Sequence, residues 1–172
     1  MQLLVIRHGA AEDKDAFART GQDDGLRPLT KSGKREMRLV ARGLKVVAPR
    51  IAVLASSRLV RAQQTAAIVA EEYGIGDIEE IDALAPDAPR NELLEWLREI
   101  DKRADTGDAI AIVGHEPHLS SVVTWLMTGQ TESRIVLKKG GACRLDFAGR
   151  PTAGRGKLRW LMGPDELRRM AA

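Results

Sequence analysis

Continuous apolar runs alternate with amphipathic segments along most of the chain. The runs Leu3–Ile6, Ile51–Ala55 and Ala109–Val113 contain no polar residue, which is typical of strands that are buried on both faces of a sheet. The longer segments between them carry apolar residues at helical spacing. Alternation of this kind predicts an α/β fold, a three-layer sandwich in which a mostly parallel central sheet is covered by helices on both faces.

Capping residues indicate where the helices begin and end. Thr30 is a favoured N-cap for a first helix, which includes Met37 and Leu44 among its apolar positions and which Pro49 ends. We expect three further helices to help cover the sheet. They span residues 58–73, which Gly74 and Gly76 terminate, Leu93 to Ala104, which Gly107 terminates, and 117–128, with Pro117 at the first helical position.

The remaining segments are shorter. Residues 13–29 are polar and rich in Asp and Gly, which predicts a loop; the sequence leaves open whether it acts as a lid or as a docking site for a partner. Strands are also predicted at Asp77–Ile81, as an edge strand, and around Cys143–Phe147 and Leu158–Met162, and a short helix at the end of the chain. Because no repeat or linker interrupts the pattern, we expect residues 1–172 to form one domain.

The composition narrows the class of protein. Of the 172 residues, 44% are hydrophobic and 30% are charged, which is typical of a soluble globular protein. Cys143 is the single cysteine and cannot form an internal disulfide. No signal peptide and no run of ~20 apolar residues is present, so we expect a cytoplasmic protein that does not enter a membrane. The net charge of +3 comes from the basic C-terminal segment, which is interpreted as a solvated face or, alternatively, as a surface that attracts an anionic partner. An aromatic content of 3% disfavours nucleic acid.

Basic and imidazole side chains follow three of the predicted strands. Arg7 and His8 come directly after the first strand, His115 follows Ala109–Val113, and Arg61 lies near the start of the helix after Ile51–Ala55. Because parallel strands present ligands at their carboxyl ends, we expect these side chains to meet at one edge of the sheet. Two guanidinium groups match the oxygens of a phosphoryl group, and a neutral imidazole is a nucleophile. The sequence therefore predicts a phosphoryl-binding pocket that works without a metal.

Four blocks of sequence resemble the motifs of one known family. They are Leu4–Gly9, which contains Arg-His-Gly, Arg27–Gly33, Ser56–Ala66 and Val113–Pro117. Their order and spacing resemble the histidine phosphatase superfamily, which is also called phosphoglycerate mutase-like. The short chain and the run Lys138–Gly141 before a late strand resemble the SixA group of small phosphohistidine phosphatases. The resemblance covers nearly the whole chain and weakens after about residue 148.

The resemblance implies a role for each residue at the strand ends. His8 is expected to be the catalytic nucleophile that becomes phosphohistidine, and His115 to stabilise the transferring group as a cation. Arg7 and Arg61 are expected to bind phosphate. Water then releases the phosphate, and neither a metal nor another cofactor is required. The expected partner is a phosphorylated protein, such as a histidine-phosphotransfer domain, or a small phosphorylated substrate.

Five other residues have simpler interpretations. Arg58 lies three residues before Arg61, which predicts that both share a helix face, and its side chain either contacts substrate or is solvated. His118 follows His115 at a spacing found in metal sites, but no third ligand is evident. Ser56 and Ser57 are interpreted as helix-capping residues, and Cys143 as a buried packing residue.

The sequence does not identify a general acid. Cleavage of an alkyl phosphate needs a proton donor for the leaving oxygen, and the candidates are Glu12, Asp82, Asp87 and Glu92. A phosphohistidine substrate needs a dedicated donor less, because its imidazole leaving group carries its own proton. The absence of an evident general acid in the sequence therefore slightly favours a substrate with a phosphorus–nitrogen bond.

Three alternatives to a protein-phosphohistidine phosphatase stay open. The first is a small-molecule phosphomonoesterase or phosphomutase on the same scaffold, although the chain is short for a mutase and Ala10-Ala11-Glu12 follows Arg-His-Gly. The second is a non-catalytic module that binds phosphoproteins, which the presence of all four pocket residues disfavours. The third is a nucleic-acid-binding module, for which only the basic C-terminal segment argues.

Overall fold

A six-stranded sheet forms the centre of the molecule in a computed structural model that describes residues 1–102 and 107–171. Spatially, the strands follow the order β3-β2-β4-β1-β5-β6. The strands are β1 (Gln2–Arg7), β2 (Ile51–Ser56), β3 (Glu79–Glu80), β4 (Ala109–Gly114), β5 (Ala142–Asp146) and β6 (Lys157–Met162). The helices are α1 (Lys14–Ala18), α2 (Lys31–Val47), α3 (Val60–Tyr73), α4 (Arg90–Asp101), α5 (His118–Thr128) and α6 (Pro164–Met170), with 3₁₀ turns at Asp24–Leu26 and Asp82–Leu84.

The first four strands of the sheet run parallel. β1 pairs with β4, β4 with β2, and β2 with the two-residue edge strand β3. β5 and β6 extend the sheet through antiparallel pairs. The prediction of a mostly parallel sheet is confirmed, and its antiparallel part consists of the two late strands, of which β6 follows β5 without an intervening helix.

Two apolar cores lie on the two faces of the sheet. Leu4 and Ile6 of β1 point to one face, where they pack with apolar residues of α2, α3 and α6. Leu3 and Val5 point to the other face and pack with residues of α4 and α5. A strand alternates its side chains between faces, so an entirely apolar strand such as β1 is explained by burial on both sides. The predicted three-layer sandwich is confirmed.

Most predicted helix ends agree with the structure. The Thr30 hydroxyl accepts a hydrogen bond from the Gly33 amide at 2.9 Å and caps α2. Gly74 adopts a left-handed conformation with φ of 70° at the end of α3. Helix α4 ends at Asp101, and Ala104, which we assigned to this helix, lies outside the described residues.

The prediction that residues 13–29 form a loop is wrong, because the segment contains helical structure. It contains α1 and the 3₁₀ turn Asp24–Leu26. The Asp13 carboxylate accepts a hydrogen bond from the Ala16 amide at 2.8 Å, and Phe17 is buried, so a cap and one apolar anchor hold this short helix. Its polar composition concealed both features.

None of the helices in the described parts of the chain combines the length and the hydropathy that a membrane span requires.

Candidate active site

The ends of three parallel strands bring the predicted residues into one pocket. Arg7 and Gly114 are paired at the end of the β1–β4 ladder, so His8 and His115 leave the sheet side by side. The His8 amide donates to the Gly114 carbonyl at 3.1 Å. Arg61 enters from the first turn of α3, and all four side chains line a cavity of about 650 Å³. The convergence expected from the strand ends is thus observed.

One ring nitrogen of His8 forms a hydrogen bond to the backbone. Its Nδ1 atom lies 2.7 Å from the carbonyl oxygen of Gly9, and since a carbonyl only accepts, Nδ1 carries the proton. Burial, followed by the charges of Arg61, Arg7 and Lys139, lowers the pKa of His8 to about 4, although the Gly9 bond acts in the opposite direction. At neutral pH the ring is therefore uncharged, and Nε2 retains its lone pair.

His115 faces His8 at a ring-centroid separation of 5.2 Å. Its Nε2 atom lies 2.5 Å from the hydroxyl of Ser57, which is itself fully buried. Burial first, then His8 and the pocket arginines, lowers the pKa of His115 to about 3. The protein's own groups thus hold His115 neutral at pH 7, and the cationic form expected from the resemblance requires the charge of a phosphoryl group.

The two arginines are fixed by backbone carbonyls. Arg7 donates from Nη1 to the Leu137 carbonyl at 2.8 Å, and Arg61 donates from Nη1 to the Asp24 carbonyl at 2.9 Å. Desolvation by burial lowers the pKa of both guanidinium groups, with Glu116 opposing it at Arg7. Within the described chain, the buried Nε atoms of both arginines lack a hydrogen-bond partner. Paired cations with spare donors suit an anion with several oxygens.

Asp24 joins this pocket unexpectedly. Its carboxylate pairs with Arg61 at 3.2 Å and with Arg27 at 2.8 Å, so it bridges two cations. The hydrogen bond from Arg27 is the main cause of the lowered pKa of Asp24, and this carboxylate is therefore ionised at neutral pH. Asp24 lies in the segment that we interpreted as a loop, 37 residues from Arg61 in sequence. No local sequence pattern predicts a contact between two residues so far apart in sequence.

Thr65 connects the loop that carries His8 to helix α3. Its hydroxyl accepts from the Gly9 amide at 3.0 Å and donates to the Arg61 carbonyl at 2.7 Å. Thr65 is fully buried, so these bonds are protected from water. The positions of His8 and Arg61 are consequently coupled through one side chain.

Of the four candidates for the general acid, one lines the pocket and three lie outside it. Glu12 lines the pocket, whereas Asp82 pairs with the exposed Arg58 at 2.7 Å, away from it. Asp87 lines a neighbouring cavity of about 420 Å³, and Glu92 is exposed on α4. Three carboxylates that we did not propose also line the pocket, namely Asp13, Asp24 and Glu116.

The interpretations of three residues were wrong. Arg58 does not share a helix face with Arg61, because α3 begins at Val60 and Arg58 instead pairs with Glu80 and Asp82. Neither Ser56 nor Ser57 caps α3, whose N-cap is Leu59, because Ser56 ends β2 and Ser57 contacts His115. The strand-end rule could have found Ser57, since this residue directly follows β2 as His8 follows β1.

The interpretation of Cys143 as a packing residue fits its surroundings. Cys143 is buried in β5, and burial raises the pKa of its thiol to about 12. His118 donates from Nδ1 to the Ala85 carbonyl at 3.1 Å, and it lines the neighbouring cavity instead of the pocket. Among residues 1–102 and 107–171, no group of three His, Cys, Asp or Glu side chains is arranged to hold a metal ion.

A separate cavity of about 570 Å³ lies elsewhere on the molecule. It includes Met1 and Gln2 at the start of β1 and Asp146 at the end of β5. It therefore lies at the opposite end of β1 from His8, and no histidine lines it. Of these two cavities, the pocket that contains His8 is the one that histidines line.

Comparison with known proteins agrees with this geometry. The sequence model of the histidine phosphatase superfamily (branch 1) matches residues 3–85, which include Arg7, His8 and Arg61. An uncharacterised protein of Picosynechococcus is 33% identical over 141 residues, which cover 82% of each chain. The chain belongs to the histidine phosphatase superfamily. Within it, phosphohistidine phosphatase SixA of Escherichia coli is 26% identical over 169 residues, covering 98% of this chain and 97% of that one.

The fold comparison leads to the same group of this superfamily. The structure of the protein histidine phosphatase SixA complexed with tungstate superposes with a TM-score of 0.81 and 25% sequence identity. The match covers 97% of this chain and 99% of the other, so it includes the late strands where the sequence motifs weaken.

Proposed function

We propose that this protein is a phosphatase that removes the phosphoryl group from phosphohistidine on another protein. The observation that carries the proposal is the pocket itself, in which an uncharged His8, with Nε2 free to react, faces His115 in a cavity that Arg7 and the buried Arg61 also line. Membership of the histidine phosphatase superfamily and similarity to SixA support this reaction.

The first step transfers the phosphoryl group to His8. The Nε2 lone pair attacks phosphorus, the bond between phosphorus and the substrate nitrogen breaks, and its electron pair stays on the leaving imidazole. Arg7 and Arg61 bind the equatorial oxygens and stabilise their charge. The negative phosphoryl group also raises the pKa of His115, which then contributes as a hydrogen-bond donor held by Ser57.

The second step returns His8 to its starting state. Water attacks the phosphorus of phosphohistidine, the bond to Nε2 breaks, and its electron pair returns to the ring. Inorganic phosphate and a proton leave the pocket. Thr65 and the Gly9 carbonyl keep the His8 ring in the same orientation for both steps.

Of the carboxylates that line the pocket, Asp24 and Glu116 are held as acceptors, and Glu12 stays the candidate proton donor for an ester substrate. Asp24 is ionised and bound to two arginines, so it cannot donate a proton. Glu116 accepts a hydrogen bond from the Ser120 amide at 2.9 Å, which fixes it as an acceptor. An imidazole leaving group carries its own proton and needs neither residue.

A comparison of substrates tests the proposal. The wild-type protein is mixed with a phosphorylated histidine-phosphotransfer domain and, separately, with p-nitrophenyl phosphate and 3-phosphoglycerate, each with and without a chelator. We expect the largest kcat/KM for the phosphorylated domain, no effect of the chelator, and loss of at least about 1000-fold in His8→Ala. The matched control is His118→Ala, which removes an imidazole outside the pocket and should retain most of the wild-type kcat/KM.

The other outcomes identify the alternatives. A preference for small esters would replace the protein substrate with a small-molecule one, and return of the phosphoryl group to a second substrate would indicate a mutase. Tight binding of the phosphorylated domain without turnover would indicate a binding module. Equal activity of His8→Ala and wild type would overturn the mechanism itself.

A further inference from the structure

The segment before β5 is attached directly to the loop that carries His8. The Gly140 amide donates to the carbonyls of His8 at 3.0 Å and Arg7 at 3.2 Å, and the Arg7 amide donates to the Gly141 carbonyl at 3.0 Å. Lys139 is the neighbour in sequence of Gly140, whose amide bonds directly to the backbone of His8. Within the run that resembles the SixA group, Lys139 is therefore part of the wall of the pocket.

Two glycines make this attachment possible. Gly140 has a φ of 72°, a left-handed conformation that favours glycine. A Cβ atom on Gly141 would lie 2.9 Å from the Lys138 carbonyl oxygen and 3.0 Å from that of Met162, so a side chain does not fit there. The segment is consequently held in one conformation, and the position of Lys139 is set by the fold.

Lys138 and Lys139 differ in their relation to the pocket. Both are exposed, but Lys139 lines the pocket and Lys138 does not. Within the described residues, the Lys139 ammonium forms no hydrogen bond or ion pair, whereas Arg27 and Arg61 are bound to Asp24. Its charge also contributes to the lowered pKa of His8, as expected for a cation near that ring.

The exposure of Lys139 indicates what it binds. Arg61 and His115 are buried and form the floor of the pocket, where the phosphoryl group is expected. An exposed cation at the mouth instead meets the molecule that carries the phosphoryl group. Lys14 also lines the pocket, is exposed, and has no ion-pair partner among the described residues. The mouth thus offers two unpaired positive charges to the carrier.

We propose that Lys139 is a specificity-determining residue that pairs with a carboxylate on the carrier, next to its phosphohistidine. This inference rests on the proposed function and adds the chemistry of the partner: an acidic surface around the phosphorylated side chain. Lys139 distinguishes between phosphorylated carriers, whereas Arg7 and Arg61 bind the phosphoryl group, which all carriers have in common.

Two peptides and two variants test the role of Lys139. One phosphohistidine peptide has Glu on both sides of the phosphorylated residue, and the other has Gln in the same places. We expect Lys139→Met to raise KM about fivefold more for the Glu peptide than for the Gln peptide, a difference typical of one exposed ion pair, with kcat changed equally for both. Lys138→Met, which removes the same charge outside the pocket, should leave the ratio of the two KM values unchanged, and added salt should reduce the wild-type preference.

Equal losses on both peptides in Lys139→Met would overturn the inference, because Lys139 would then act on the phosphoryl group itself. Equal effects of Lys138→Met and Lys139→Met would also overturn it. If the wild type cleaves neither peptide, the proposed function fails, and the same variants are compared on 3-phosphoglycerate, which has a carboxylate, and p-nitrophenyl phosphate, which has none. Calorimetric binding of these two esters replaces turnover if neither is cleaved, and a loss confined to 3-phosphoglycerate supports the role of Lys139.

Discussion

His8 and His115 are neutral at pH 7 because the protein buries them beside two arginines. Burial is the largest cause of the lowered pKa in both rings, and the arginine charges act in the same direction. A nucleophile needs this uncharged state, and an anion in the pocket reverses part of the effect at His115. The burial of the two rings is therefore compatible with the roles proposed for them.

Ser57 is predicted to position His115. Ser57→Ala removes the hydroxyl that lies 2.5 Å from Nε2 and leaves a buried ring nitrogen unpaired. We expect kcat to fall about tenfold, with KM nearly unchanged, and the free energy of unfolding to fall by about 1–2 kcal/mol. The neighbouring Ser56, whose hydroxyl bonds to the Ser57 carbonyl, provides the control variant Ser56→Ala. Equal kcat in both variants would exclude the positioning role.

The lowered pKa of His8 predicts how stability depends on pH. As pH falls from 7, the unfolded chain protonates His8 near pH 6.5, but the folded protein does so only near pH 4. The free energy of unfolding therefore decreases on acidification, and His8 accounts for about 2 kcal/mol of the decrease between pH 7 and pH 5. Urea titrations of wild type and His8→Asn at both pH values measure this contribution, and an identical decrease in both proteins would contradict it.

At the residue scale, the sequence predicts the four central side chains and misses those that hold them. Arg7 ends β1, His8 and His115 directly follow strands, and Arg61 lies in the first turn of the helix after β2, so a local pattern reveals them. Asp24 contacts Arg61 only through folding, and no pattern reveals that contact.

Elements fix the relative positions of these residues. The loop after β1 and helix α3 meet through Thr65, while the segment before β5 bonds to the backbone of Arg7 and His8. Sequence periodicity predicts each of these elements but not their contacts, because a hydrogen bond from Thr65 to Gly9 joins residues 56 positions apart. It also missed α1, which is too short to show a helical period.

Thr65→Val tests whether this connection matters for catalysis. The substitution keeps the shape of the side chain but removes the acceptor of the buried Gly9 amide. We expect a loss of about 1–3 kcal/mol in the free energy of unfolding and a fall in kcat of about tenfold, because the loop that carries His8 loosens against α3. Thr65→Ser retains the hydroxyl and should keep most of the activity. The connection is unimportant if both variants have the same kcat.

At the scale of the whole molecule, the candidate pocket lies at the carboxyl ends of the parallel strands. The alternation of apolar runs and helices predicts this layered architecture, and the ends of β1, β2 and β4 locate the pocket. The spatial order of the strands does not follow from the same pattern, because the hydrophobic pattern of one buried strand does not distinguish it from another strand of similar composition. Packing of the two cores against particular helices decides that order.

The central claim is that His8 carries the phosphoryl group during turnover. A ³²P-labelled phosphohistidine protein is mixed with the enzyme, the reaction is stopped in alkali within milliseconds, and mass spectrometry locates the label. We expect an alkali-stable, acid-labile phosphoryl group on His8, absent in His8→Asn, which forms and decays at rates compatible with kcat. Label on any other residue, or turnover by His8→Asn at the wild-type rate, would contradict it.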